Sequence, residues 1–326
     1  MEPGGRKGLD KAKDLRQYWR QKLIKLATGD QDIMTVITNA APNTTIDDAA
    51  PTARASGAVT RYLARPGGRI AYDVAGDGPL VVGVPGMGDV RSVFRFLAAG
   101  LVDAGFRVAT MDLRGHGESD TTFDQYDDVA AGTDLLALVK ELGGGPAVLV
   151  GNSMGAGAAA WAAAESSALV RALVLIGPFV RNAPVGRGAE LAFRLALLRP
   201  WGPAAWNAWY ARLYPGRKPA DFEAHRALIR ASLRRPGAWT AFARTTHTSH
   251  APAAARLGSV TAPTLVVIGD ADPDFKDPTA EAAWIAETLH GRAVIVPGSG
   301  HYPHAEYPEI VTPAVVDFLR REASGA

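Results

Sequence analysis

Two patterns of apolar and polar residues alternate along the chain from about residue 59 to its end. Short apolar runs predict buried strands, and the longer mixed segments between them predict helices that pack one face on a sheet. After an opening hairpin at 61–63 and 70–74, the predicted strands are residues 80–84, 106–111, 147–150, 173–176, 264–269 and 293–296. The predicted helices are residues 90–101, 127–142 and 153–165. This alternation indicates an α/β fold whose sheet is mostly parallel and flanked by helices.

The alternation stops between residues 179 and 259. Tryptophans, tyrosines and leucines among helix-forming residues predict a helical insertion here, above the loops that follow the strands. Such a cap, or lid, would exclude water and shape a pocket. Trp206 and Tyr210 are candidates to line that pocket, although these aromatic residues could instead hold the insertion together. The sheet domain is then predicted to comprise residues 59–178 and 260–326.

The first 58 residues are predicted to lie outside this domain. Residues 11–26 could form a basic amphipathic helix, which can bind a membrane surface or a partner. Residues 40–58 are rich in Ala, Thr, Pro and Asp, which is typical of a flexible linker. We favour a disordered or partly helical tail, or translation from Met34, over a membrane anchor.

Composition narrows the classes of function. The formal net charge of +2 gives no reason to expect a nucleic acid or an acidic partner, and the absence of cysteine excludes disulfides and a thiol nucleophile. The sequence contains neither a phosphate-binding Gly-x-x-x-x-Gly-Lys-Ser/Thr loop nor a histidine and carboxylate cluster with metal spacing. No apolar run has transmembrane length or resembles a signal peptide. We therefore expect a cytoplasmic protein that acts on a small molecule, of unknown oligomeric state.

One serine has the sequence setting of a nucleophile. In Gly151-Asn152-Ser153-Met154-Gly155, it lies between an apolar strand and an alanine-rich helix. A serine on so sharp a turn presents its hydroxyl above the sheet, and the helix N-terminus favours negative charge nearby. The motif can occur by chance in a glycine-rich chain, so it is moderate support by itself. A nucleophilic serine also needs a base, an acid that orients the base, and donors for an oxyanion.

The predicted base is His301, on a glycine-containing loop that follows the strand 293–296. An isolated histidine on a loop is more often solvated. The strand that precedes His301 and the glycines next to it favour a catalytic role for this residue. His304, three residues later, is expected to form hydrogen bonds within the same loop.

The acid is expected on the loop after the strand 264–269, which contains Asp270, Asp272 and Asp274. Asp272 is preferred because it lies three residues past the end of the strand, where the loop can turn back toward the histidine. The other two aspartates are expected to cap the loop or to bind its amides. The order Ser, Asp, His along the chain is one of the known orders of a catalytic triad.

Backbone N–H groups for an oxyanion hole are expected at two places. Met154 directly follows the serine. Met87, in Pro85-Gly86-Met87-Gly88, follows the strand 80–84, and the glycines on both sides would let its N–H turn inward. Taken alone, residues 85–88 are interpreted equally well as an ordinary Gly/Pro turn.

Four motifs make the chain resemble the α/β-hydrolase superfamily from about Val59 to its end. They are Pro85-Gly86-Met87-Gly88, the segment 112–119 (DLRGHGES), Gly151-Asn152-Ser153-Met154-Gly155, and the segment 298–308 (GSGHYPHAEYP). The resemblance implies an eight-stranded, mostly parallel sheet with a helical cap. The triad and oxyanion donors that it implies are Ser153, Asp272, His301, Met87 and Met154. Arg114 and His116 would have structural roles. One departure is Pro85-Gly86, where the family usually has His-Gly; the donor is a backbone group, so the hole should survive.

The predicted function is hydrolysis of a small, largely apolar carboxylic ester through an acyl-enzyme, a reaction that requires no cofactor or metal. The serine disfavours the related haloalkane dehalogenases and epoxide hydrolases, which use an aspartate nucleophile. Three alternatives stay open. The elbow around Ser153 is similar to that of the meta-cleavage-product hydrolases, which cleave a carbon–carbon bond, although the oxyanion loop does not match theirs. A dry cap could favour acyl transfer, and a hydrolase scaffold can also serve as a ligand receptor.

Overall fold

The computed structural model describes residues 34–36, 59–143, 145–182 and 187–324. Its strands are β1 (Met34–Val36), β2 (Arg61–Arg65), β3 (Gly68–Ala75), β4 (Leu80–Val84), β5 (Arg107–Met111), β6 (Ala147–Asn152), β7 (Val170–Ile176), β8 (Thr264–Gly269) and β9 (Arg292–Val296). They form one sheet in the order β1-β9-β8-β7-β6-β4-β5-β3-β2. Only β3 pairs in antiparallel fashion, with β2 and with β5. The eight strands from β2 to β9 confirm the predicted, mostly parallel α/β-hydrolase sheet.

A ninth strand extends this sheet from a segment that the sequence places outside the fold. β1 pairs in parallel with β9, with Met34 beside Ala293 and Val36 beside Ile295. The edge of β9 would otherwise present unpaired backbone groups, and β-branched Thr35 and Val36 suit a strand. A strand of three residues is too short for its periodicity to be recognised. The predicted helix at 11–26 and the predicted linker at 40–58 lie outside the described residues.

Helices cover both faces of the sheet. The helices are α1 (Arg95–Asp103), α2 (Asp128–Glu141), α3 (Met154–Glu165), α4 (Arg187–Ala196), α5 (Gly202–Arg212), α6 (Phe222–Arg234), α7 (Ala238–Thr245), α8 (Ala251–Ala254), α9 (Pro278–Thr288), α10 (Pro303–Glu306) and α11 (Pro308–Ser324). α1 to α3 match the three predicted helices, and α2 begins where the Asp127 side chain accepts a hydrogen bond from the Ala130 N–H. No helix of the described residues is long and apolar enough to cross a membrane.

The strand residues alternate between two apolar layers. Leu149 and Val266 belong to the layer that packs against α2, α3 and α9, whereas their neighbours Val150 and Val267 belong to the layer that contains α1 and α11. Strands buried on both faces appear in the sequence as continuous apolar runs, which is why β6 and β8 could be predicted.

Five helices, α4 to α8, lie between β7 and β8, where the sequence predicts the cap. A buried ion pair joins this segment to the sheet domain: the Arg95 guanidinium on α1 contacts both oxygens of Asp221, at 2.5 Å each. The two side chains are only 2% and 10% exposed. This contact fixes the start of α6 against α1.

The loops that follow β4, β6, β8 and β9 carry the residues that the sequence singles out. These four strands are parallel, so their carboxyl ends lie at the same edge of the sheet. In open α/β sheets, the crevice at this edge is where ligands bind.

Candidate active site

Ser153 is the single residue between the end of β6 and the start of α3. Its φ of 55° and ψ of −124° lie in a region that residues with side chains rarely occupy, so the turn is strained. Backbone bonds hold it in place: the Ser153 N–H donates to Ile176 O at 2.9 Å, and its carbonyl accepts from the Phe179 N–H at 3.2 Å. A Cβ on Gly155 would lie 2.4 Å from Val84 O, so this position of the motif requires glycine.

The loop after β4 lies directly against this serine. A Cβ placed on Gly86 would be 2.6 Å from the Ser153 Cβ and 3.1 Å from its Oγ. Met87, the first predicted oxyanion donor, therefore directly follows Gly86, which contacts Ser153. Met154 is the first residue of α3, and the first N–H groups of a helix have no acceptor within it. Both predicted donors thus belong to residues that adjoin the site.

Asp272 and His301 form a buried hydrogen-bonded pair. Asp272 Oδ2 lies 2.7 Å from His301 Nδ1, and the two side chains are 0% and 2% exposed. The Asn152 side-chain amide donates to His301 O at 3.3 Å, which ties the histidine to the residue before the serine. The structure therefore brings the predicted base, acid and nucleophile to one end of the sheet.

The electrostatics of His301 favour its protonated form. Burial alone would lower the pKa of the imidazole, but the charge and hydrogen bond of Asp272, with a smaller contribution from Asp274, raise it to about 9. An imidazolium at this position is the species that forms when a serine gives up its proton.

The two other aspartates of the loop have different positions. Asp270 accepts a 2.6 Å hydrogen bond from the Gly298 N–H, as expected for a residue that braces the loop. Asp274 Oδ2 lies 3.8 Å from His301 Nδ1, beyond hydrogen-bonding distance, and burial raises the pKa of its carboxyl. Asp272, Asp274 and His301 are also the one group within the described ranges that could hold a metal ion. In this structure, His301 Nδ1 is engaged by Asp272 at 2.7 Å.

His116 supports residues 85–89, the predicted oxyanion loop after β4. Its Nε2 accepts a 2.9 Å hydrogen bond from the Gly88 N–H, and its Nδ1 lies 2.9 Å from Arg114 O. The first contact requires an unprotonated Nε2, so the imidazole is neutral with its hydrogen on Nδ1. Burial agrees with this state, since it lowers the pKa of His116 to about 4. The side chain therefore has the structural role that the resemblance implies.

Asp89 is a functional candidate that was not predicted from the sequence. It ends the oxyanion loop and is fully buried, and it accepts hydrogen bonds from the Val90 N–H (2.7 Å) and the Tyr210 hydroxyl (3.0 Å). Its Oδ1 also lies 2.9 Å from His225 Nε2. Burial would raise the pKa of this carboxyl, but His225 and the hydrogen bonds hold it below its usual value. Because Tyr210 and His225 belong to α5 and α6, this carboxylate joins the oxyanion loop to the cap.

We expect Asp89→Ala to lower the free energy of unfolding by about 3–5 kcal/mol, because it leaves buried polar partners on the cap uncompensated. Urea denaturation measures this change. Glu223→Ala is the control, since Glu223 lies on α6 like His225, the partner of Asp89, but its own side chain is 70% exposed; loss of its ion pair with Arg226 should cost less than about 1 kcal/mol. Equal stabilities of the two variants would contradict the role assigned to Asp89.

Trp206 and Tyr210, the predicted pocket residues, both form hydrogen bonds with the oxyanion loop. Trp206 is 5% exposed and its indole N–H donates to Gly88 O at 3.3 Å, and Tyr210 is 1% exposed with its hydroxyl on Asp89. Their polar groups hold the loop in place. That the two side chains also line the substrate pocket stays a prediction.

Three aromatic rings of the described residues lie beside His301: Tyr302, at 5.2 Å between centroids, and Phe179 and Phe275. The Phe179 ring centroid lies 5.9 Å from that of His301 and 4.8 Å from that of Phe275. Phe179 also stacks at 5.8 Å on His250, whose Nδ1 lies 2.8 Å from Asp128. Phe179 follows Gly177-Pro178 at the end of β7, and that strand-to-turn boundary is the one signal in the sequence that could have identified it.

His304 does not form the hydrogen bonds predicted for it. It is fully buried, neither ring nitrogen has a hydrogen-bond partner, and burial lowers its pKa to about 3. The ring stacks on Phe94 with a centroid separation of 5.2 Å. The loop is held by Glu306 instead, which accepts hydrogen bonds from the Gly300 N–H (2.7 Å) and the Gly216 N–H (3.1 Å).

Comparison with known proteins agrees with this fold. A family model described as "Alpha/beta hydrolase family" matches residues 81–314. A 2-(acetamidomethylene)succinate hydrolase from Mesorhizobium japonicum is 31% identical over 272 residues, which cover 77% of this chain and 92% of the relative.

Two solved structures are similar over most of the chain. A thermophilic esterase from Thermogutta terrifontis, with malate bound, is 27% identical with a TM-score of 0.65, over 81% of this chain and 98% of its own. A serine hydrolase involved in carbazole degradation, the CarC enzyme, is 25% identical with a TM-score of 0.63, over 81% and 99% of the two chains. Together with the sheet and the matched residues, these findings show that the chain belongs to the alpha/beta hydrolase family and is an enzyme, a hydrolase.

Proposed function

We propose that this enzyme hydrolyses small, largely apolar carboxylic esters through an acyl-enzyme formed on Ser153. The observation that carries the proposal is the buried 2.7 Å pair of Asp272 and His301 at the same sheet edge as the strained turn of Ser153. A serine in such a turn, beside an imidazole that a carboxylate orients, is the arrangement that activates a hydroxyl.

In the proposed reaction, His301 Nε2 takes the proton of the Ser153 hydroxyl as Oγ attacks the ester carbonyl. The N–H groups of Met87 and Met154 stabilise the oxyanion, and Asp272 stabilises the imidazolium. His301 then gives its proton to the departing alcohol. Water, deprotonated by the same imidazole, releases the carboxylic acid and restores Ser153. The protein supplies all these groups itself.

The surroundings of the site support an apolar substrate. Phe179 and Phe275 place aromatic rings around His301 at 5.9 and 6.4 Å between centroids. Of the similar proteins, the Thermogutta terrifontis protein is described as an esterase. The Mesorhizobium japonicum relative is named for a succinate derivative, so carboxylate-bearing substrates belong in the panel to be tested.

We expect kcat/KM for a neutral ester to rise with pH through an apparent pKa near 9. His301 acts as a base only when it is neutral, and its pKa is raised from 6.5 to about 9, so the protonated and inactive form predominates below that value. Steady-state rates from about pH 5 to about pH 10 measure the profile. A plateau already reached at about pH 6.5 would contradict the electrostatic account of His301.

The proposal is tested by treating the purified enzyme with a fluorophosphonate and mapping the modified residue by mass spectrometry. Short and medium-chain p-nitrophenyl esters and 2-(acetamidomethylene)succinate are assayed in parallel. Labelling at Ser153 with turnover of an ester is the expected result. Labelling with turnover of the succinate derivative alone would keep the nucleophile and replace the substrate class, and an unlabelled Ser153 would refute the proposal.

A further inference from the structure

Among the described residues, the exposed large apolar side chains are concentrated on the cap. Within the described residues, the large apolar side chains that are exposed are Val59, Tyr62, Leu191, Phe193, Leu195, Leu198, Trp201, Trp209 and Leu228. All but the first two lie between residues 191 and 228. Apolar side chains exposed singly are normal, but a group confined to one segment indicates an interaction surface.

Four of these residues form what we call the cap patch: Leu191, Leu195, Leu198 and Trp201. The three leucines have the spacing i, i+4, i+7, which places them on one side of α4 and its C-terminal turn. The Trp201 indole N–H donates to Leu195 O at 2.9 Å, so the ring is held beside the end of α4. All four side chains are at least half exposed. The cap patch is therefore one outward-facing apolar stripe.

The segment that carries the cap patch is strongly basic. Residues 187–235 contain ten Arg or Lys residues and three Asp or Glu residues, a net charge of +7 in a chain whose total is +2. The other parts of the chain therefore carry a net negative charge. Such an asymmetry directs the cap toward negatively charged surfaces.

A groove next to the cap patch combines the two properties. Its volume is about 630 Å³, it lies between α5 and α6, and it is lined by Arg199, Arg230 and Arg234 together with apolar residues that include Trp206 and Leu233. No carboxylate is among its lining residues. A groove with apolar walls and several guanidinium groups matches an anionic headgroup attached to an acyl chain.

We propose that the cap patch docks on the surface of a bilayer that contains anionic phospholipid, with its leucines and Trp201 inserted and the arginines of the groove on the phosphates. Leu and Trp on one side of a helix with Arg beside them is the pattern of segments that lie in a membrane interface. A second copy of the chain fits less well, because a two-fold contact would bring together two copies of a segment whose net charge is +7. Docking would hold the cap, and the site beneath it, at the lipid surface.

The test is co-sedimentation of the full chain with vesicles of phosphatidylcholine, alone or with about 30% phosphatidylglycerol. Wild type should pellet with the anionic vesicles and less at high salt. The triple variant Leu195→Asp, Leu198→Asp, Trp201→Asp should bind at least tenfold more weakly. The control Val59→Asp, Tyr62→Asp, which changes exposed apolar residues outside the cap, should bind like wild type.

A second variant tests the same proposal without relying on correct folding of the triple variant. Arg199→Glu with Arg234→Glu changes exposed side chains only and should reduce binding to anionic vesicles at least tenfold. Three results would overturn the proposal: wild type that stays in solution with both vesicles, a triple variant that pellets like wild type, or a wild-type dimer that the triple variant converts to monomer without any vesicle binding. None depends on ester turnover, so failure here is separate from failure of the proposed function.

Discussion

Replacement of Ser153 by alanine is expected to lower kcat for ester hydrolysis by roughly 10⁵- to 10⁶-fold, the range found when a triad loses its nucleophile. No other group in the proposed reaction can form the acyl-enzyme. The melting temperature should change little, because the backbone bonds of the turn to Ile176 and Phe179 do not involve the hydroxyl. Steady-state kinetics and thermal unfolding of the same preparation measure both quantities.

The matched control for this variant is Ser167→Ala, since Ser167 is an exposed serine on the short turn after α3. It should keep wild-type kcat and wild-type labelling by fluorophosphonate. Ser153→Ala should lose both activity and labelling. Retention of ester turnover within tenfold of wild type would remove Ser153 from the mechanism and, with it, the acyl-enzyme.

Asp272→Asn is expected to lower kcat by about 10⁴-fold. Asparagine preserves the size of the side chain, but it supplies no charge to stabilise the imidazolium and can hold the ring in the wrong tautomer. The raised pKa of His301 should fall as well, because Asp272 is the main group that raises it. The pH profile of kcat/KM therefore shifts toward lower pH in this variant.

Asp274→Asn distinguishes the roles of the two carboxylates near His301. Asp274 lies on the same loop, but its oxygen is 3.8 Å from Nδ1, whereas that of Asp272 is at 2.7 Å. We expect the Asp274 variant to lose less than about tenfold in kcat. A larger loss for Asp274→Asn than for Asp272→Asn would exchange the roles of the two residues.

The strands of the sheet domain could be predicted from the sequence because nearly all are buried. β6 and β8, covered on both faces, are continuous apolar runs, and their ends are marked by glycines. The candidate site followed, since each motif directly succeeds such a strand. β1 could not be predicted, because three residues carry no period and the strand forms only when β9 offers an edge.

The interior of the cap could not be predicted for a different reason. The contacts of Trp206 with Gly88 and of Tyr210 with Asp89 depend on how α5 and α6 cross the sheet domain, and a local sequence pattern does not contain this information. Asp89 has the same difficulty: in a glycine-rich loop it resembles an ordinary turn residue, and only its partners on the cap reveal a buried carboxylate. His304 shows that a histidine near a site can pack as an aromatic ring without any polar partner.

The attachment of the oxyanion loop to the cap limits how this enzyme can be re-engineered. A foreign cap grafted between β7 and β8 to obtain a new specificity would remove Trp206, Tyr210 and His225 together, so Asp89 and the Gly88 carbonyl would lose their partners on the cap. Because this loop supplies an oxyanion donor in the proposed reaction, we expect the graft to impair catalysis on every substrate, old or new. The module that can be exchanged is therefore the cap together with residues 86–89, and chimeras should be cut at those boundaries.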